Sequence, residues 1–227
     1  MLIDSFNLEA PPGFRGLNPD IPLRKYIRHL PHWRQKGATY AVTFRLTDSL
    51  PREKLDMLRS MRREWEAKFP EPRSDEAWET YTRSVTHRVN EWLDQGAGEC
   101  HLRNPRFATE LARASLHFQD QRYHIACYVV MPNHCHLIMR PLGEHELEDL
   151  VGAIKGVTSW YVNRDLGRIG DLWQQESFDR IVRDEEHLYN AIQYVGNNPR
   201  MAGLPESQWY RWIDPAWESC GWGFRDP

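Results

Sequence analysis

The chain has 227 residues, 41% hydrophobic and 27% charged, with 29 Lys and Arg against 32 Asp and Glu for a net charge of −3. That describes one soluble globular domain long enough to bury a real core, and it gives no global electrostatic reason to bind nucleic acid. No stretch approaches the ~20 apolar residues of a membrane span and the N-terminus has no apolar leader core, so no membrane partner and a cytoplasmic location are expected.

Residues 1–37 read as an irregular leader followed by a basic arm. The leader is punctuated by Pro11, Pro12, Gly13, Gly16, Pro19 and Pro22. The arm carries Arg24, Lys25, Arg28, Arg34 and Lys36 with no acidic residue among them, and Tyr26 and Trp33 are interleaved. Cations with aromatics can hold phosphates and stack bases; a solvated surface arm accounts for the stretch equally well.

The β-branched and aromatic run 38–47 predicts the first strand. Pro51 then opens a helix with Leu55, Leu58, Met61, Trp65 and Phe69 at helical spacing. A polar, helical elaboration at about 64–100 follows, to which the sequence assigns no chemistry. A further helix is predicted over about 105–118, then strands at 123–131 and 134–140 joined by a tight turn at Pro132-Asn133.

A helix over about 145–165 buries Leu147, Leu150, Val151, Ile154, Val157 and Tyr161. Lys155 lies off that stripe and joins the arm as a candidate DNA contact. A short strand, 177–183, leads into a helix capped by Asp184, with Glu185 and Glu186 in its first turn and Pro199 ending it. The order βαββαβ predicts an α+β, ferredoxin-like core with an antiparallel sheet, plus an extra C-terminal helix. The domain spans 38–204, and the Trp-rich tail 205–227 shows no readable pattern.

Chemistry concentrates in His134-Cys135-His136. In a strand the two imidazoles share one face while Cys135 and Leu137 point to the other. Buried imidazoles need partners, and a cation is the obvious one; two core histidines satisfied by backbone are the alternative. Cys135 is excluded as a ligand by its direction. Cys100, Cys127, Cys135 and Cys220 form no framework, so reduced thiols are expected.

On the last helix Tyr194 and Tyr189 flank the apolar stripe on opposite sides. Asn198 lies one turn beyond Tyr194, ~6 Å along the axis. Two imidazoles and an amide oxygen can hold a divalent ion with open positions, which could polarise a phosphate while a phenol attacks phosphorus. On the residues alone, Tyr194 also reads as an ordinary boundary tyrosine.

Four ordered pieces resemble the REP-associated tyrosine transposases, a branch of the HUH single-tyrosine transposases. They are Leu30-Pro-His-Trp-Arg34 with Thr39-Tyr-Ala-Val-Thr-Phe44, Val130-Met-Pro-Asn-His-Cys-His-Leu137, Leu172-Trp-Gln-Gln-Glu-Ser-Phe178, and Tyr194-Val-Gly-Asn-Asn-Pro-Arg-Met-Ala-Gly-Leu204. The resemblance implies that Tyr194 is the nucleophile and that His134, His136 and Asn198 ligate Mg²⁺ or Mn²⁺. It implies cleavage and rejoining of single-stranded DNA through a 5′-phosphotyrosine link, with hairpin DNA as partner and the basic arm as its reader. Relatives act as monomers or dimers, and both remain open here. The rivals are a hairpin-binding relative that no longer cuts, a nuclease using water as nucleophile, and a histidine-triad hydrolase. The last lacks its third histidine, since Ile138 stands there.

Overall fold

Alternating apolar and β-branched residues make the strands, and charge-flanked apolar stripes make the helices. The computed structural model describes residues 8–28 and 30–225. The basic arm is a two-stranded antiparallel ribbon, β1 (Arg24–Ile27) and β2 (Pro31–Arg34), where an irregular segment was expected. After β3 (Tyr40–Arg45) come α1 (Arg52–Lys68), α2 (Asp75–Asp94) and α3 (Pro105–Leu116). The hairpin β4 (Tyr123–Val130) and β5 (His134–Pro141) follows, then α4 (Leu147–Leu166), β6 (Phe178–Ile181), α5 (Glu185–Met201), β7 (Tyr210–Ile213) and α6 (Pro215–Ser219).

The main sheet runs β6-β3-β5-β4-β7 with every neighbour antiparallel. Its first four strands reproduce the ferredoxin-like order, and β7 from the tail extends the edge beyond β4. The two faces carry separate cores. Phe44, Cys135, Leu137 and Met139 face α3 and α4. Ile138, Cys127 and Val129 face Leu188, Ile192 and Val195 of α5. Period-2 alternation along β5 therefore sends His134 and His136 towards α5 and Cys135 away from it.

Helices α1 and α2 form their own apolar cluster through Trp65, Tyr81, Val85, Val89 and Trp92, which reaches Phe178 on the sheet. The helical elaboration is thus a pair that includes all of α1. Helix α5 begins as predicted, with Asp184 Oδ1 accepting from the His187 amide at 2.7 Å. It continues through Pro199 to Met201 instead of ending there, so Asn198 sits within the last turn and is fully buried.

The tail is part of the core. Trp217 and Trp222 are buried, and their indole N–H groups donate to the carbonyls of Pro12 and Glu9 at 3.0 and 2.9 Å. The four cysteines are free thiols. Among the described residues no helix is long and apolar enough to cross a membrane.

Candidate active site

The site starts from two cross-strand pairs. Thr43 of β3 stands opposite His136 of β5, and Arg45 stands opposite His134. Thr43 Oγ1 lies 2.6 Å from His136 Nδ1, and Asn133 Oδ1 lies 2.7 Å from His134 Nδ1. An amide oxygen only accepts, so His134 Nδ1 carries its proton; the Thr43 hydroxyl can fix His136 in the same way. With Thr43 accepting, both lone pairs sit on the Nε2 atoms, which are 2.9 Å apart; with Thr43 donating, His136 Nε2–H donates to His134 Nε2 across the same gap.

Two facing lone pairs repel unless a cation or proton comes between them. Cis ligands ~2.0–2.1 Å from an octahedral ion stand about 3.0 Å apart, so the separation fits a shared ion. Burial lowers the pKa of both rings, to about 3 for His136, and His136 and Arg45 add to the lowering at His134. Both imidazoles are therefore neutral and able to ligate at physiological pH. Among the described residues no group of three or more His, Cys, Asp or Glu forms a metal cluster; the set available is two imidazoles and an amide.

That amide belongs to Asn198. Its Oδ1 and Nδ2 are buried, and neither makes a hydrogen bond of good geometry among the described residues. Such orphaned polar atoms cost free energy, and a ligand would satisfy them. One turn earlier the Tyr194 ring meets His136 edge-on, with centroids 5.6 Å apart. Tyr189 is on the other flank, against Trp222 and under the Arg225 guanidinium.

Burial raises the Tyr194 pKa well above its ordinary value, and the charge of Asp94 adds to this, while the amides of Asn198 and Asn90 favour the phenolate. The Tyr194 hydroxyl is therefore protonated at neutral pH.

Asn90 and Asp94 come from α2. Burial, then Glu91, lifts the Asp94 carboxyl to about 6. A cavity of about 290 Å³ opens between α2, β6 and α5, with Thr43, His136, Tyr194, Asn90, Arg83 and Arg180 among its lining residues. Thr43, Asn133, Asn90 and Asp94 were not singled out in the sequence. A signal was present in α2: Arg83, His87, Asn90 and Asp94 recur at helical spacing on the side away from Tyr81, Val85, Val89 and Trp92. Asn133 also fastens this insertion to the site, since its Nδ2 donates to the carbonyls of Leu93 and Ala97 at 3.3 and 3.0 Å.

The candidate DNA contacts separate into two groups. Arg34 is buried and forks onto Asp179, while its Nε donates to Glu148 at 2.9 Å. Lys155 Nζ donates to the carbonyls of Gln174 and Gln175 at 2.6 and 2.8 Å, and burial, then Arg45, lowers it to about 8. Lys25 pairs with Asp75 and lies over Trp33. Lys36 is exposed and pairs with Glu144. Arg24 and Arg28 are exposed, with their guanidinium groups near the Tyr26 ring.

Residues 109–198 match the family model described as "Transposase IS200 like". The stretch runs from α3 to Asn198 and contains His134, His136, Tyr194 and Asn198, so the resemblance to the tyrosine transposases is borne out there. An uncharacterized protein of Haemophilus influenzae (strain ATCC 51907 / DSM 11121 / KW20 / Rd) is 30% identical over 95 residues, 32% of this chain and 52% of that protein. The chain thus spans about half the length of this curated relative. Among solved structures, that of a REP-associated tyrosine transposase bound to a REP hairpin aligns with a TM-score of 0.39 and 16% identity, covering 81% of this chain and 76% of the other.

Proposed function

We propose that this protein cleaves and rejoins single-stranded DNA at hairpin-forming sequences through a covalent phosphotyrosine link. One observation carries the reading: the Tyr194 ring lies against His136, whose Nε2 meets that of His134 at 2.9 Å on the same sheet face. His134, His136 and Asn198 would hold Mg²⁺ or Mn²⁺. Such an ion, when bound, supplies Lewis-acid stabilisation of charge on the phosphoryl oxygens.

The chain's own residues do the rest. The Tyr194 oxygen forms the bond to phosphorus, the bond from phosphorus to the 3′-oxygen breaks, and that oxygen leaves as a 3′-hydroxyl after taking a proton. The Tyr194 proton must depart as the bond forms, and the amides of Asn198 and Asn90 ease this by favouring the anion. Attack by a 3′-hydroxyl reverses the step, so rejoining needs no nucleotide cofactor. Thr43 and Asn133 hold the two rings in the ligating tautomer throughout.

The test is incubation with hairpin DNA bearing single-stranded flanks and Mg²⁺ or Mn²⁺, followed by a denaturing gel. A protein–DNA adduct is expected. It should vanish in Tyr194→Phe with binding retained, and persist in Tyr189→Phe. An undiminished adduct in Tyr194→Phe moves the nucleophile elsewhere and ends the reading.

A further inference from the structure

Helix α2 turns a second, polar side towards the cavity that holds Tyr194. Arg83 projects from α2, and Arg180 projects from β6, where it pairs in register with Ala41 on the α5 side of the sheet. Among the described residues neither guanidinium has a carboxylate within 4.0 Å, whereas their neighbour Arg183 pairs with Glu79 at 2.6 Å. Burial, then Arg183, lowers the Arg180 pKa; the Glu79 carboxylate, which pairs with Arg183, opposes the shift, and Arg83 adds to it. The nearby imidazole of His187 is held neutral, its pKa lowered to about 4 by burial and then by Arg180.

Two guanidiniums at the rim, exposed Arg83 and half-buried Arg180, leading to an apolar floor that includes Ala41, Ala191 and Val195, fit an anionic chain with flat apolar units. The volume, about 290 Å³, sits at the lower end of the ~300–1,000 Å³ of small-ligand pockets. It suits one nucleotide of a single strand and is too small for a duplex.

We propose that this cleft is the seat of the single-stranded DNA flank beside the scissile phosphate, with Arg83 and Arg180 each holding one phosphodiester and the apolar floor receiving a base. The helical insertion is then the wall that closes the active site over its substrate. The inference rests on Tyr194 acting on single-stranded DNA, and it gives a function to a segment outside the matched residues 109–198.

The experiment compares the full chain with Arg83→Gln, Arg180→Gln and the double variant on two labelled DNAs, one hairpin with a single-stranded flank and the same hairpin without it. The salt slope of binding for the flanked DNA should shallow by about 0.7 per arginine, hence about 1.4 in the double variant. Affinity for the flankless hairpin and the thermal unfolding midpoint should stay at wild-type values. Arg83→Lys, which keeps the charge at an exposed position, should recover most of the slope. An unchanged slope on flanked DNA, or an equal loss on the flankless hairpin, overturns the cleft. A wild-type adduct at Tyr194 with an unmoved slope in the double variant refutes this inference alone. Arginine-dependent binding of the flank without any adduct refutes the nucleophile and leaves the cleft standing.

Discussion

Replacing Thr43 by Val keeps the branched shape of the side chain and removes only the oxygen 2.6 Å from His136 Nδ1. His136 is 3% exposed, so no water readily substitutes for the lost partner. A buried donor left unpaired costs about 1–3 kcal/mol. The ring can escape that cost by moving its proton to Nε2, the atom that faces His134, and it could then no longer hold the ion proposed for it. Partners of ligating histidines are typically worth about 10–100-fold in metal affinity, or about 1.4–2.7 kcal/mol. The two routes give the same magnitude. Titration of Mn²⁺ by calorimetry, alongside adduct yield against Mn²⁺ concentration, should show half-saturation raised about 10–100-fold and near-wild-type rate at saturating metal. Half-saturation within twofold of wild type would refute the role of Thr43, and so would a rate that no metal concentration restores.

Arg34→Gln should act on folding: stripping Asp179 and Glu148 of their buried partner should cost about 3–5 kcal/mol in urea unfolding, while Arg24→Gln with Arg28→Gln should leave stability alone and shallow the salt slope of DNA binding by about 1.4. His32 supplies a pH test. Burial disfavours its charged form, but hydrogen bonds to Asp179 and Glu176 prevail and raise it to about 9 from 6.5. The stability it contributes is fully present below pH 6.5 and is lost as pH rises towards about 9. Unfolding in urea should therefore show up to roughly 3 kcal/mol lost across that window in wild type, and much less in His32→Gln.

Legibility in the sequence followed the range of the interactions. Strands β3 to β6, the 132–133 turn and the direction of His134 and His136 depend on period-2 alternation and local turn chemistry, both of which a single chain displays. The Asp184 cap was equally local. Cross-strand and interhelical partners were not legible. Thr43 is one threonine in a run of β-branched residues until register sets it opposite His136. The arm's charges suggested DNA, but Arg34 depends on Asp179 from a strand 145 residues away, and no pattern within 24–36 announces that pairing. Trp217 and Trp222 were opaque for a similar reason, because their indoles are satisfied by carbonyls of the leader. Pro199 misled: it removes one N–H, and the final turn continues with Asn198 and Pro199 buried and the Ala202 N–H donating to the Asn198 carbonyl at 3.0 Å.

The charges around the site explain why its parts belong together. Arg45 is 6% exposed, its Nε has no partner, and its hydrogen bond to Ser49 is long at 3.4 Å. Burial lowers its pKa to about 10, and among the described residues no carboxylate counters it. Beside it lie two neutral imidazoles with their Nε2 atoms 2.9 Å apart, and on the rim of the adjoining cavity stand Arg83 and Arg180, neither with a carboxylate within 4.0 Å among the described residues. A protein selected only for stability would neutralise such groups or exchange them for apolar side chains. Retaining a buried cation, an orphaned amide at Asn198 and a facing pair of imidazoles makes physical sense when the missing partners arrive with the substrate. A cation suits the imidazoles and the amide oxygen, and a phosphodiester chain suits the arginines. The same folded state is then least satisfied when empty and most satisfied with both present, and the proposed chemistry would draw on that binding energy beside Tyr194.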